Sequence, residues 1–218
     1  MFITFEGPDG AGKTSVIQGL KKKFQETGEY PVLFTREPGG SPIAEEIRQV
    51  TLDPKNTAMD AKTEALLIAA GRRQHIVEKI LPALEKGTIV ICDRFVDSSL
   101  VYQGFARGIG MEAVAQINQF ATESLQPNVT LYLDVPSEVG LERIDKGKKE
   151  RQFDRLDQEE ISFHHKVREG YAILLERHAD RMIKVEANRP EKDVLEDCWK
   201  IVNTVLEQNK MPGGMQYE

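Results

Sequence analysis

Only 2 cysteines, 1 tryptophan and 4 histidines stand among the 218 residues, and each scarcity removes a class of protein. Cys92 falls in an apolar strand pattern and Cys198 in a C-terminal helix pattern, a pair with neither a disulfide framework nor metal-ligand spacing. Both are expected to be buried thiols in a reducing compartment. His75, His164, His165 and His178 show no metal-partner pattern and receive no role. Positive charge is also short: 29 Lys and Arg against 35 Asp and Glu leave a net charge of -6, with a pI near 5.4. That balance disfavours general binding to nucleic acid or anionic membrane, since both need a concentrated positive field. No apolar run approaches the roughly 18 residues of a membrane span. The N-terminus enters a strand directly, without the basic-then-apolar plan of a signal peptide. The expectation is a cytoplasmic protein with no nucleic-acid or membrane partner.

What is present is an alternation of apolar, β-branched runs with longer helical patterns. The runs at 2–5, 32–35, 88–92, 129–135 and 182–187 read as strands. Helical patterns lie near 13–27, 42–51, 60–85, 111–124, 137–145, 158–178 and 190–208. The order predicts an α/β, three-layer fold like that of P-loop nucleoside triphosphate hydrolases: a five-stranded parallel sheet with helices on both faces. Right-handed crossovers put the C-terminal ends of the strands on one edge, where Gly7, Arg36, Asp93 and the segment after Val135 should meet. No repeat or composition break divides the chain, so one domain is expected over 1–218, with a frayed tail at 210–218.

Gly7-Pro8-Asp9-Gly10-Ala11-Gly12-Lys13-Thr14 matches the phosphate-binding loop and follows directly on the first strand. Its glycines let the backbone curl around an anion, with turn and helix-terminal amides pointing inward. Lys13 would meet the β- and γ-phosphates of a nucleoside triphosphate, and the Thr14 hydroxyl would bind Mg²⁺. Asp93, closing the third strand, suits a carboxylate that holds Mg²⁺ through its water shell. Arg94 beside it could bridge two phosphates bidentately; the plainer alternative is a surface arginine paired with Asp97 or Glu37. Arg36-Glu37-Pro38-Gly39-Gly40 reads either as a substrate-facing loop or as an ordinary turn. Arg36 and the nearby Arg48 could both address an anion.

Glu64, Ile68 and Arg72 are four apart and share a helical face, so a flat ligand could rest on Ile68 with Arg72 at its polar edge, although such stripes are also common in cores. The cluster from Asp97 to Gly104 includes Gln103, which donates and accepts together and suits a nucleobase edge. Between Arg143 and Arg155, the cations Arg143, Lys146, Lys148, Lys149, Arg151 and Arg155 make a positive segment in an acidic chain. It reads as a mobile lid, about 143–156, that closes over phosphates, or as a solvated loop of mixed charge.

Taken in order, Gly7 to Thr14, Arg36 to Gly40, Arg94 with the following Asp97-Ser98-Ser99 and Tyr102-Gln103-Gly104, and Arg155-Leu156-Asp157 resemble the thymidylate kinases, from Phe2 to about Val205. The resemblance implies transfer of the ATP γ-phosphoryl group to dTMP, giving dTDP and ADP for dTTP synthesis, in a Mg²⁺-dependent homodimer. Gly10 stands where one branch of the family carries a loop arginine, so the chain resembles the bacterial type, whose lid supplies that group. Arg151 and Arg155 are the lid candidates, and Arg143 joins the ATP-binding set. The resemblance further implies that Asp9 meets the sugar 3'-hydroxyl, Arg36 and Arg94 the acceptor phosphate, and Arg72 and Gln103 the thymine. It also sets Ser99 against the base, Tyr102 against a ribose 2'-hydroxyl, and Glu37 in the Mg²⁺ and phosphate network. Two positions depart from the family pattern: Ile68 replaces a phenylalanine that stacks on thymine, and Phe95 replaces a tyrosine. Losing the ring costs about 0.5–1.5 kcal/mol of stacking. The nearest rival is a nucleotide kinase for UMP/CMP or a deoxynucleoside, and a rival of another class is a P-loop switch protein.

Overall fold

The structure is a computed structural model that describes residues 1–147, 155 and 159–210. Five strands form one parallel sheet: β1 (Phe2–Glu6), β2 (Val32–Arg36), β3 (Ile89–Asp93), β4 (Val129–Asp134) and β5 (Met182–Glu186). Their spatial order is β2-β3-β1-β4-β5. β1 and β4 are buried at every position, as central strands covered on both faces must be, which is why apolar residues dominate them on both faces. Alternate residues still divide between two cores. Ile3, Phe5, Ile89 and Ile91 face one apolar layer, while Phe2, Val90 and Cys92 face the other.

The first layer is completed by α1 (Lys13–Thr27) and α9 (Glu191–Lys210), through Val16, Leu20 and Phe24 against Val194, Cys198 and Val202. On the opposite face lie α3 (Ala61–His75), α6 (Met111–Thr122) and α8 (Ile161–Arg177), with Val114, Val167 and Tyr171 buried between them. Shorter helices α2 (Pro42–Leu52), α4 (Leu81–Glu85), α5 (Val96–Ser99) and α7 (Ser137–Gly147) complete the chain order. The expected α/β, three-layer, five-stranded parallel architecture is what the chain adopts. Parallel pairing aligns Arg36 with Asp93 and Phe5 with Asp93, so the C-terminal ends of β1, β2 and β3 share one edge.

Two features depart from the expected helices. The pattern at 60–85 begins at Asp60, whose carboxylate accepts from the backbone of Lys62 and Thr63 at 3.0 and 3.1 Å, an N-cap. It then passes through a π-helical turn, Ile76–Ile80, where the Leu81 N–H donates to Ile76 O. Pro82 next in line has no N–H to give, and the bonding register shifts just ahead of it. Residues 96–106, expected only as a polar cluster, instead form α5 and a second π-helical stretch, Leu100–Ala106. Gly104 obscures that helix in the sequence. It is a poor helix former, yet a Cβ there would lie 3.0 Å from the Met111 Cα at the start of α6.

Candidate active site

Along the edge where β1 ends, the loop 7–12 turns into α1. Gly10 adopts φ 74°, and a Cβ on it would fall 2.1 Å from the Gly140 carbonyl oxygen of α7. Only glycine fits there. Lys13 folds back so that its Nζ donates to Gly7 O and Pro8 O, both at 2.9 Å. Burial, and then the positive charge of Arg94, push the Lys13 ammonium down to about 8. Thr14 Oγ1 donates to Asp93 Oδ2 at 3.5 Å, while Asp93 Oδ1 is buried with no protein partner among the described residues. An orphaned carboxylate oxygen beside a hydroxyl suits a hard cation such as Mg²⁺. No cage of three His, Cys, Asp or Glu exists among the described residues.

Arg94 sits at φ 69°, with its N–H donating to Phe5 O at 2.9 Å. Its guanidinium reaches Gly7 O at 3.1 Å, Ser98 Oγ at 2.9 Å and Asp9 Oδ1 at 2.6 Å. It also donates to the hydroxyls of Tyr102 and Tyr171 at 3.1 and 3.3 Å. The alternative pairing with Asp97 or Glu37 does not occur. Asp97 takes two 2.7 Å bonds from Arg181, and Glu37 is turned to α3. Asp9 accepts from the Tyr102 hydroxyl at 2.9 Å as well. Burial raises its carboxyl, but Arg94, Lys13 and that hydroxyl outweigh burial and hold it at about 2.

Further along the edge, Arg36 and Arg48 both donate to Pro38 O, at 2.9 and 2.8 Å, which sets two guanidiniums side by side. Arg72 is buried, with Nε donating to Glu37 at 2.6 Å, Nη1 to Ser99 at 3.1 Å and to Asn118, and Nη2 to Phe95 O at 2.9 Å. Most of the Arg72 fork is thus committed to protein rather than open to a ligand edge. Glu37, expected in the Mg²⁺ network, has both oxygens engaged, by Arg72 and by His75 Nδ1 at 2.9 Å. A buried guanidinium needs that charge beside it. Gln103 Nε2 donates to Glu64 at 2.6 Å. Arg155, expected as a lid arginine at the transferring phosphate, donates instead to Thr51 O at 3.1 Å and to Glu64. Arg143 donates to Gly10 O and Ala187 O at 3.4 and 3.2 Å. Arg151 lies outside the described residues, as does most of the expected lid.

One cavity of about 810 Å³ gathers these groups. Every site residue named from the sequence lines it apart from Gly7 and Pro8, whose carbonyls hold Lys13, and the undescribed Arg151. The cavity joins the loop around Lys13 to a second cationic, hydrogen-bonding compartment across Arg94. A family model described as thymidylate kinase matches residues 5–198. The chain belongs to the thymidylate kinase family. It is 58% identical over 200 residues to the thymidylate kinase of Latilactobacillus sakei subsp. sakei (strain 23K), covering 92% of this chain and 93% of the relative. It is 57% identical over 193 residues to that of Geobacillus sp. (strain WCH70), covering 88% and 91%. The crystal structure of thymidylate kinase from Ehrlichia chaffeensis superposes with a TM-score of 0.74 at 31% identity, over 93% of this chain and 98% of that one.

In this thymidylate kinase family member, residues given no role of their own from the sequence brace the site. Glu6, wholly buried at the end of β1, receives four hydrogen bonds. Tyr171 of α8 and Ser98 of α5 support Arg94, and His75 and Asn118 support Glu37 and Arg72. Ser98 lay in the motif read after Arg94, and Glu6 had a local signal, a carboxylate one residue before the loop at the end of a strand otherwise apolar enough to be central.

Proposed function

We infer that this chain transfers the γ-phosphoryl group of ATP to dTMP, giving dTDP and ADP for dTTP synthesis. The observation that carries the reading is the single cavity in which Lys13 and Thr14 face Arg36 and Arg48 with Arg94 between them. Two anionic substrates meeting head to head need that distribution of charge. The acceptor oxygen is already anionic, so no general base is required, and positioning with charge neutralisation supplies most of the rate. Lys13 would hold the β- and γ-phosphates. Thr14 and Asp93 would hold Mg²⁺, which neutralises phosphate charge when bound. Arg94 would bridge the donor and acceptor phosphates. Its guanidinium is already oriented by Asp9, Ser98 and Gly7, which limits reorganisation during transfer.

The base would lie on Ile68, near Ser99 and Gln103, with Tyr102 and Asp9 towards the sugar. Arg36 and Arg48 would address the acceptor phosphate, and Arg72 and Glu37 would act chiefly as the buried pair that shapes this compartment. Lid residues, Arg151 among them, would close over the donor, with Arg143 on the ATP side. The working form would be a homodimer in the cytoplasm. Its interface would draw on the helices between 60 and 124, where Leu66, Val77 and Phe120 are exposed.

ADP release with Mg²⁺ and ATP, measured against dTMP, dUMP, UMP, CMP and no acceptor at matched concentration, tests the reading. Turnover should be strongest with dTMP and weaker with dUMP, since one methyl in a pocket is worth about 1–3 kcal/mol. Stronger turnover with UMP or CMP would overturn the acceptor assignment, and release independent of any acceptor would overturn the kinase.

A further inference from the structure

Glu6 is a fully buried carboxylate with no assigned part in catalysis. Its Oε1 accepts from the backbone N–H groups of Phe95 at 2.8 Å and Ser98 at 3.3 Å. Its Oε2 accepts from the Ser98 hydroxyl at 2.6 Å and the Tyr171 hydroxyl at 2.8 Å. The same two hydroxyl oxygens lie 2.9 and 3.3 Å from Arg94 Nη1. A hydroxyl has one hydrogen to give and two lone pairs to offer. With both hydrogens drawn to Glu6, both oxygens turn lone pairs towards Arg94, and the 3.0 Å approach of the two hydroxyls carries no proton.

We propose that Glu6 is a positioning residue for phosphoryl transfer: it orients the Ser98 and Tyr171 hydroxyls as acceptors that fix the Arg94 guanidinium between the two substrates. The proposal rests on the reading that Arg94 meets the acceptor phosphate. Three sequence-distant elements converge for it, β1, α5 and α8, around a group that is not among the residues lining the active-site cavity. Burial and the negative charge of Asp97 raise the Glu6 carboxyl, whereas Arg94 and the two hydroxyls oppose them. Two backbone N–H groups and two hydroxyls converge on its oxygens, an arrangement that favours the carboxylate. A glutamine at position 6 would carry an NH₂ group where Oε1 or Oε2 now accepts. At least one donor would lose its acceptor, and a hydroxyl hydrogen released from Glu6 would swing towards Arg94.

The test compares Glu6→Gln, Arg94→Lys and the double variant in the full-length enzyme, with dTMP and ATP varied separately. Loss of hydrogen bonds around a charged group predicts that Glu6→Gln lowers kcat/KM for dTMP about tenfold or more and moves KM for ATP less than about twofold. In the Arg94→Lys background the same change should cost less than about twofold, because its effect passes through the fork that lysine lacks. A rise in KM for ATP as large as that for dTMP would overturn the proposal, as would an undiminished loss in the Arg94→Lys background. If Arg94→Lys itself spares dTMP turnover, the reading of Arg94 fails and the proposal with it. If Arg94→Lys harms turnover and Glu6→Gln does not, only the role of Glu6 falls. Should Glu6→Gln fail to fold, Tyr171→Phe takes its place under the same criteria. That variant keeps the ring stacked on Tyr132, with centroids 5.0 Å apart, and removes only the hydroxyl.

Discussion

Lys13 is held by two carbonyl oxygens and crowded by Arg94, a setting in which its proton is easier to lose than in water. Its ammonium titrates at about 8, driven there first by burial. A bound triphosphate brings several negative charges within reach and favours the charged form, so the value must rise on binding. The consequence is proton uptake. Near pH 8, where about half of the free enzyme lacks the proton, ATP binding should take up a fraction of a proton. At pH 6.5 it should take up almost none at this group. Titration calorimetry in two buffers of different ionisation heat reads that difference, and equal uptake at both pH values would contradict it. At this scale the sequence was informative where function is written in consecutive positions. Lys13, Thr14, Asp93 and Arg94 could be named because a strand end fixes where the next residue points. Glu6 and Tyr171 are 165 residues apart, and nothing local to either tells that they touch. The commitment of Arg155 to Glu64, and of Glu37 to Arg72, was hidden for the same reason: a guanidinium's partner is chosen by the fold.

Among the elements, the strands and long helices were legible because each repeats its signal over several residues. β1, β3 and β4 are mostly apolar runs that end in a carboxylate, and α1 shows Val16, Leu20 and Phe24 at helical spacing, closed by Gly28 at φ 65°. The π-helical stretch Leu100–Ala106 had no such repeat, since one wide turn shifts the pattern by a single residue and Gly104 interrupts it. Yet this stretch carries Tyr102 and Gln103. Gly104→Ala would force a Cβ against the Met111 backbone, where neither side is a flexible side-chain end. We expect the melting temperature to fall by about 2–4 °C, corresponding to roughly 1 kcal/mol in a chain of this size. KM for dTMP should rise more than KM for ATP, because the displaced stretch carries Tyr102 and Gln103, which would meet the acceptor. A fall in ATP affinity of equal size would show that the two compartments are not mechanically separate.

For the whole molecule, the apolar groups left in contact with solvent are the informative ones. Phe120 of α6 is 89% exposed, and Leu66 and Val77 stand out on the neighbouring helical run. A lone exposed apolar residue is ordinary, but several on adjacent helices in an otherwise acidic chain favour a second copy as the cover. Light scattering should read twice the chain mass of 24.6 kDa, and Phe120→Lys should shift the population towards the single chain as the protein is diluted. A mass of one chain at every concentration would remove the dimer. Charge balance and the five-stranded parallel sheet could both be read from the sequence, whereas the spatial order of the strands and which helical face stays uncovered depend on packing between segments far apart in the chain.

The meeting of Gly10 with Gly140 places a limit on this molecule's history as well as on its shape. A side chain at position 10 would have to displace the backbone of α7, and a Cβ on Gly140 would in turn fall 2.5 Å from Asp9 O. Neither glycine can be exchanged while the other element stays where it is. A chain that builds this contact cannot acquire a side chain at position 10 by one substitution; the helix would first have to retreat.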